Sequence, residues 1–326
     1  MPVELTRKGL KLTGSPLWLD ATRKTELSFV SHAHADHIAA HERIIATKET
    51  LALIAHRLKR RSAELPVPYC QPFALGPLTL ELLGAGHMLG AAQLAVTKDD
   101  GHRITFSGDV CFEPTRTAAP ATVAPCDTLV LESTFGHPRF SFPKREEVLG
   151  DMTHWCQRQH SRGLVPILYA YAAGKSQEVI AHLNAQGLPV CAHDSICDIA
   201  DIYSNHGVPL LVRRFAGTVL PGEVGLFPPF GRSMSLKAIP NTITAVLTGW
   251  ATDAEAVKRY RADHAFPLSD HADCRALVRY AKETGAREVI THHGYAEELA
   301  QALRKAGVQA RAVSRPLQLS LELAAS

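Results

Sequence analysis

The segment Ser31-His32-Ala33-His34-Ala35-Asp36-His37 sets three histidines and an aspartate within six positions, directly after the apolar run Leu27–Val30. A turn at a strand end can aim alternate side chains at one point, so His32 and His34 can bind one metal ion while Asp36 and His37 bind another. A solvent-exposed histidine cluster is the bland alternative, and it accounts for neither the density nor the placement. The same arrangement, a ligand just past an apolar strand, recurs three times. Gly84-Ala85-Gly86-His87 follows Leu78–Leu83, Ser107-Gly108-Asp109 follows Arg103–Phe106, and Thr291-His292-His293-Gly294 follows Glu288–Ile290. Each alone is more often structural, but together with the first cluster they complete a two-metal site. Asp109 can bridge two cations with its two oxygens, and of the paired histidines His293, beside the glycine, is the better ligand candidate. Imidazole with carboxylate suits Zn²⁺, with Mn²⁺ or Fe also compatible.

The rest of the composition is that of an ordinary globular enzyme. Of 326 residues 46% are hydrophobic and 21% charged, which excludes a disordered or fibrous chain and allows about two domains. Histidine is in excess at 17, and the net charge of +3 permits an anionic ligand without requiring one. Seven scattered cysteines with no C-x-x-C pair argue against a disulfide framework or a cysteine-based zinc site, and for a reducing compartment. The first eight residues lack an apolar leader, and no run approaches the roughly 18 residues of a membrane span. The expectation is a soluble, cytoplasmic protein.

Short apolar runs alternating with helical stretches give an α/β or α+β fold. Strands are expected at Leu17–Leu19, Leu27–Val30, Leu78–Leu83, Arg103–Phe106, Thr128–Leu131, Val165–Tyr169, Thr242–Leu247 and Glu288–Ile290, and helices at Glu49–Arg61, Arg145–Gln159, Ser176–Gln186 and Cys274–Lys282. Phe135–Pro143 and Pro221–Gly231 punctuate the chain. Between them, residues 145–236 read as a smaller inserted lobe, with 1–144 and 237–326 forming the main domain.

The histidine motif and the distant His, Asp and His resemble the signature of the metallo-β-lactamase superfamily. The resemblance implies a four-layer αββα fold and two divalent metal ions, Zn²⁺ first and Mn²⁺ second. His32, His34 and His87 would hold one ion, and Asp36, His37 and His293 the other, with Asp109 between them. Asp20, in Trp18-Leu19-Asp20, would brace the site from behind. Leu131-Glu132-Ser133-Thr134-Phe135-Gly136, Leu268-Ser269-Asp270-His271-Ala272-Asp273 and His293-Gly294 look like the three extra motifs of the β-CASP branch, which acts on nucleic acids. Tyr169 to Glu178 resembles the entry to that branch's inserted lobe, and Thr248-Gly249-Trp250 its return. Asp36, Glu132 and His271 are then the catalytic candidates, with His271 serving the leaving 3′-oxygen and Glu132 orienting its ring.

Gly174-Lys175-Ser176 mimics the end of a phosphate-binding P-loop, but the glycine that such a loop needs is Tyr169 here. The better reading has the helix start, with Lys175 and Ser176, meeting a backbone phosphate. His56-Arg57-Leu58-Lys59-Arg60-Arg61 is the densest basic run, and Arg57 and Arg60 could follow a sugar–phosphate backbone, as could Arg213, Arg214, Arg232 and Lys237. Tyr171 and Trp250 could stack on a base, though aromatics beside strands are usually core, which is the expectation here. The short chain resembles most the bacterial DNA ligase-associated exonucleases. That implies trimming of DNA ends, with an ATP-dependent DNA ligase and a helicase as partners. An RNA-processing nuclease of the same branch is the alternative. A thioester or lactam hydrolase, or a metal-bearing scaffold, ranks below.

Overall fold

The computed structural model describes residues 2–58, 62–229, 239–253 and 255–313. Two sheets lie face to face. The first runs in chain order as β1 (Val3–Thr6), β2 (Gly9–Leu12), β3 (Trp18–Leu19), β4 (Leu27–Phe29), β5 (Arg43–Ala46) and β6 (Ala63–Pro66). The second contains β7 (Phe73–Leu75), β8 (Leu78–Gly84), β9 (Ala92–Thr97), β10 (Arg103–Phe106), β11 (Thr128–Glu132), β18 (Glu288–His292) and β19 (Ala310–Ala312), in spatial order β19-β18-β11-β10-β9-β8-β7. All eight runs read as strands form strands, with ends displaced by a residue or two.

Strand β11 is buried at all five positions. Its Val130 joins Phe29, Phe106 and Ile290 in the core between the sheets, where Phe29 and Phe106 meet edge to face at 6.2 Å. Its neighbours Leu129 and Leu131 fall on the other face, in the cluster that holds Leu277 of α6 (Cys274–Glu283) and Leu299 and Leu303 of α7 (Ala296–Lys305). A strand covered on both faces reads as continuous apolar sequence, which is why this one lacks alternation. Ile44 and Ala46 of β5 likewise share a cluster with Leu51, Leu53 and Ile54 of α1 (Lys48–Leu58). The order is helix, sheet, sheet, helix: the four-layer α+β architecture.

A third sheet builds a separate lobe. It takes β12 (Val165–Tyr169), β13 (Val190–Ala192), β14 (Arg213–Arg214), β15 (Val224–Phe227), β16 (Thr242–Leu247) and β17 (His264–Phe266) in the order β14-β13-β15-β12-β16-β17, every pair parallel. Its crossovers include α3 (Lys175–Ala185) and α4 (Asp194–Asn205), with α2 (Arg145–Ser161) leading in and the short α5 (Ala256–Tyr260) between β16 and β17. This corrects the expected boundary. Strands β16 and β17 belong to the lobe's sheet, so the lobe extends past residue 236 to about Phe266. The chain returns through Leu268–Asp273, not through Thr248–Trp250. A buried apolar strand such as Thr242–Leu247 does not state in its own sequence which sheet it enters.

Strand direction positions the site. β10, β11 and β18 are parallel to one another, and β8 shares their direction because β9 is antiparallel to both β8 and β10. The residues that follow β8, β10, β11 and β18 therefore emerge at one edge of the second sheet. There they meet the chain leaving the parallel pair β3 and β4.

Candidate metal centre

Four imidazoles and a carboxylate meet at that edge. His34 Nδ1 lies 3.0 Å from His32 Nε2 and 3.0 Å from His87 Nε2. Asp109 Oδ2 lies 3.4 Å from His32 Nε2, 3.4 Å from His37 Nε2 and 3.8 Å from His87 Nε2. His32, His37, His87 and Asp109 are all buried.

The outer nitrogen of each ring settles what the inner one carries. His87 Nδ1 is 2.7 Å from the carbonyl of Asp270 and His34 Nε2 is 3.2 Å from that of Ala173. A carbonyl only accepts, so both outer nitrogens donate. Ser31 donates its hydroxyl to Asp20 Oδ2 at 2.5 Å, so its oxygen, 2.9 Å from His32 Nδ1, accepts from that ring. His37 Nδ1 donates to Asp20 Oδ2 at 2.7 Å. A neutral ring with one nitrogen donating has a bare lone pair on the other. In His32, His34 and His87 these lone pairs point at each other across 3.0 Å, an arrangement that repels unless a cation sits among them.

The charge balance agrees. Burial first, and then the neighbouring rings, hold His32 and His87 well below the ordinary histidine pKa. Burial likewise takes His34 down to about 4. His37 goes the other way: burial alone would lower it, but Asp109, Asp20 and Asp36 outweigh that and raise it to about 10. Its inner nitrogen has no hydrogen-bond partner. The carboxylates thus demand positive charge where three neutral rings offer lone pairs. His32, His34, His87 and Asp109 form a donor set that could hold a divalent cation, with the nitrogen and oxygen chemistry of a zinc site.

Asp20, His32 and His37 are also close enough to share an ion, but both Asp20 oxygens are already taken by the Ser31 amide at 2.6 Å, the Ser31 hydroxyl and His37. Asp20 therefore braces two rings from behind. Asp36 and His293 stand further out. The Asp36 side chain is largely exposed, 3.7 Å from His37 Nε2, and the rings of His293 and His37 are 6.1 Å apart. Both line the mouth of the site. His292 turns away and stacks on Phe106.

Two backbone features aim these side chains. Gly108 has a φ of +53°, and a Cβ there would lie 2.6 Å from that of Ser31, so glycine lets the Asp109 loop close onto the histidine loop. Beyond β18, the Ser133 hydroxyl lies 2.7 Å from the carbonyls of both His292 and His293 and fixes the turn that presents His293.

His271 and Glu132 sit beside Asp109. His271 Nδ1 is 3.2 Å from each Glu132 oxygen and 3.8 Å from Asp109 Oδ2. Glu132 is fully buried and accepts the amide of Val110 at 2.8 Å. Burial would raise its pKa, but His271 with the hydrogen bonds outweighs that and takes it to about 2. The same pairing holds His271 at about 9 against the opposing effect of burial.

A cleft of about 400 Å³ opens over this centre, between the main domain and the lobe, and Arg57 and Tyr171 line it. Four expectations need correction or limits. Ser176 is fully buried and spends its hydroxyl on the Tyr171 carbonyl at 2.7 Å, so it offers nothing to a phosphate. Lys175 is buried as well, and its ammonium is 3.1 Å from Asp270 Oδ2, neutralised inside the fold. Neither aromatic is fully core: Tyr171 is 46% exposed, and Trp250, which packs on Phe135, is half-buried and lines the cleft. Arg57 is exposed at the cleft. Arg60 lies outside the described residues, with Lys59, Arg61, Arg232 and Lys237. Ser31 was missed by sequence reasoning although it adjoins the motif. Arg145 was missed with no signal to find it, since its buried guanidinium bonds Ser269 and Asp270 from far along the chain.

The fold is thus an αββα sandwich with a histidine-rich donor set at one sheet edge. No family model matches the chain. Over 98% of its length it is 36% identical to part of a probable DNA ligase of Opitutus terrae, covering 32% of that protein. It is 26% identical over 49% of its length to RNase aCSPSF2 of Saccharolobus solfataricus, covering 38% of that protein. It is 29% identical over 44% of its length to an uncharacterized protein in the lig 3′ region of Acidianus ambivalens, covering 99% of it. The chain thus spans about a third of the first two of these relatives. A protein of unknown function from Enterococcus faecalis superposes with a TM-score of 0.59 at 11% identity, covering 81% of this chain and 74% of that one, a likeness of fold. Through these homologues the chain is related to the β-CASP nuclease branch of the metallo-β-lactamase superfamily. Among the described residues no helix is long and apolar enough to cross a membrane.

Proposed function

We propose that the chain is a metal-dependent phosphodiesterase that hydrolyses nucleic acid, and that it trims DNA ends as an exonuclease in repair. The carrying observation is the set of inward lone pairs around Asp109 with the Glu132–His271 pair at its side. His32, His34, His87 and Asp109 would hold one cation, and His37, Asp36 and His293 with Asp109 a second. When bound, two divalent cations, zinc first by donor chemistry, would lower the pKa of an attacking water and neutralise charge on the phosphoryl oxygens.

The protein's own groups supply the rest. Glu132 fixes the His271 ring through Nδ1, which leaves Nε2 as the proton donor. A ring held at about 9 is protonated at neutral pH, so Nε2–H can be delivered to the leaving 3′-oxygen. Arg57, exposed at the cleft, suits a backbone phosphate. The similarity to part of a probable DNA ligase favours DNA as substrate and a ligase, with a helicase by family analogy, as partners. The RNase relative supports the second reading, an RNA-processing nuclease.

The test is a cleavage time course on matched 5′-labelled single-stranded DNA and RNA with Mn²⁺ or Zn²⁺. Stepwise loss of DNA is expected, and RNA preference or discrete internal cuts would favour the second reading. His271→Ala should retain metal and lose most cleavage, whereas Asp109→Ala should lose both. Intact cleavage by His271→Ala would refute the assigned roles, and no cleavage of either substrate by the parent protein would refute the function.

A further inference from the structure

Among the described residues lining the cleft, Tyr171 is the most exposed aromatic, 46% open to solvent, and the loop that carries it is held by hydrogen bonds. It sits between β12 and α3 in a loop stapled from both sides. Ser176 donates its hydroxyl to the Tyr171 carbonyl at 2.7 Å, and Gln177 donates to the Ala172 carbonyl at 2.9 Å while accepting the Gly174 amide at 2.8 Å. The next residue of the loop, Ala173, provides the carbonyl that orients His34. The tyrosine backbone is therefore tied to the metal centre by a short, fully bonded path. Its side chain is held too: the hydroxyl hydrogen-bonds Tyr260, and the Lys175 ammonium lies 5.4 Å from the ring centroid. Yet 46% of the residue is exposed. It faces a cleft shared with Asp36, Asp109, His271 and the exposed Arg57.

An immobilised aromatic face left open beside a reaction centre is a surface without its partner. The Lys175 ammonium lies over the ring, but the hydroxyl and loop bonds would hold with the rest of the ring covered by a ligand. The chemistry that fits is a flat π-system joined to an anion: the ring takes the former and Arg57 the latter. The cleft, about 400 Å³, has the volume of a site for one small ligand, so a base can enter it only when unpaired from a duplex.

We infer that Tyr171 is a stacking shelf for an unpaired nucleobase next to the scissile phosphate, and that the substrate enters as a single strand. This rests on the nuclease reading above and names the strand state that reading left open. Stacking tolerates any base, so the shelf fixes position and strandedness, not sequence. It also converts Ser176 and Lys175, expected as phosphate contacts, into supports for the shelf.

The experiment uses the full chain and 5′-labelled single-stranded oligonucleotides, intact or carrying one abasic nucleotide at successive positions near the cut end. Binding is read by fluorescence anisotropy in Ca²⁺ without turnover, and KM and kcat are read separately in Mn²⁺. Tyr171→Ala should weaken binding of the intact strand and raise KM about tenfold, with kcat changed far less. With the abasic nucleotide at the shelf position, parent and Tyr171→Ala should bind alike, both at the weakened level. Tyr171→Phe, which keeps the ring, should recover most of the loss. The inference is overturned if Tyr171→Ala binds intact strands as the parent does, if its loss is the same at every abasic position, or if duplex ends bind as tightly as single strands. A parent protein that shows base-dependent binding but cuts nothing would overturn the nuclease reading and leave the shelf standing.

Discussion

Ser31→Ala removes one oxygen from behind the metal centre. Ser31 is 1% exposed; its hydroxyl donates to Asp20 at 2.5 Å and accepts from His32 Nδ1 at 2.9 Å. The first bond is to a buried carboxylate, worth roughly 1.5–3 kcal/mol, and its loss also leaves a buried imidazole N–H unpaired at roughly 1–3 kcal/mol. The two costs overlap, so the metal-free protein should lose about 2–4 kcal/mol. The fold should survive, because the Ser31 amide still donates to Asp20 at 2.6 Å and His37 still donates at 2.7 Å. The specific consequence lies with His32. Without the serine oxygen nothing holds its proton on Nδ1, and the tautomer with the proton facing the metal becomes accessible. Metal affinity should therefore fall about 10–100-fold, the usual cost of losing a hydrogen bond behind a histidine ligand. Chelator competition measures the affinity, and urea unfolding of chelator-treated protein measures the stability. A variant with parent metal affinity refutes the tautomer argument, even if its stability drops as expected.

Acid should unfold the metal-free protein early. His34 is held at about 4, and His32 and His87 well below the ordinary value, so the unfolded chain takes up protons below about pH 6.5 that the folded chain refuses. Stability is then fully present above about pH 6.5 and lost as pH falls, by up to about 1.4 kcal/mol per pH unit for each ring. His37, at about 10, and His271, at about 9, stay protonated in the folded protein throughout. As pH falls from 7 through the unfolded value of about 6.5 they return some stability, which offsets the loss from the three lowered rings only in part. Urea midpoints of chelator-treated protein at pH 7 and 5.5 check this, and equal midpoints would contradict it. Arg145→Met should cost about 3–5 kcal/mol, since the guanidinium bonds the Ser269 carbonyl at 2.6 Å and faces Asp270 at 3.4 Å and Glu178 at 3.6 Å, all buried. Urea unfolding with a loss below about 1 kcal/mol would show that the network is not a determinant of stability.

What the sequence made legible follows from how far each signal reaches. His32, His34, His87 and Asp109 were legible as candidates because each lies just past an apolar strand, and strand ends gather by topology. Glu132 and His271 were singled out as candidates through motif resemblance, and the structure brings them to hydrogen-bond distance across 139 positions of chain. The failures share a physical cause. Lys175 and Ser176 sit in a phosphate-like motif, but burial beside Asp270 and the Tyr171 carbonyl decides their use, and burial is not local. Tyr171 reads as core because it follows a strand, yet its loop ends at a cleft that exists only once the lobe meets the sandwich. The lobe boundary fell short because Thr242–Leu247 is equally apolar whichever sheet it joins. Asp36 sits inside the densest motif and still ends largely exposed, since neighbours along a turn diverge.

The central claim is that four inward-facing imidazoles and Asp109 exist to hold divalent cations, and it can be counted. Chelator-stripped protein, re-equilibrated with Zn²⁺ and sprayed under native conditions, reports the ions retained per folded chain. Two ions are expected on the parent protein, and Asp109→Ala should lose retained metal with the fold intact. A folded parent that retains no ion, or an Asp109→Ala variant with the full complement, would contradict it.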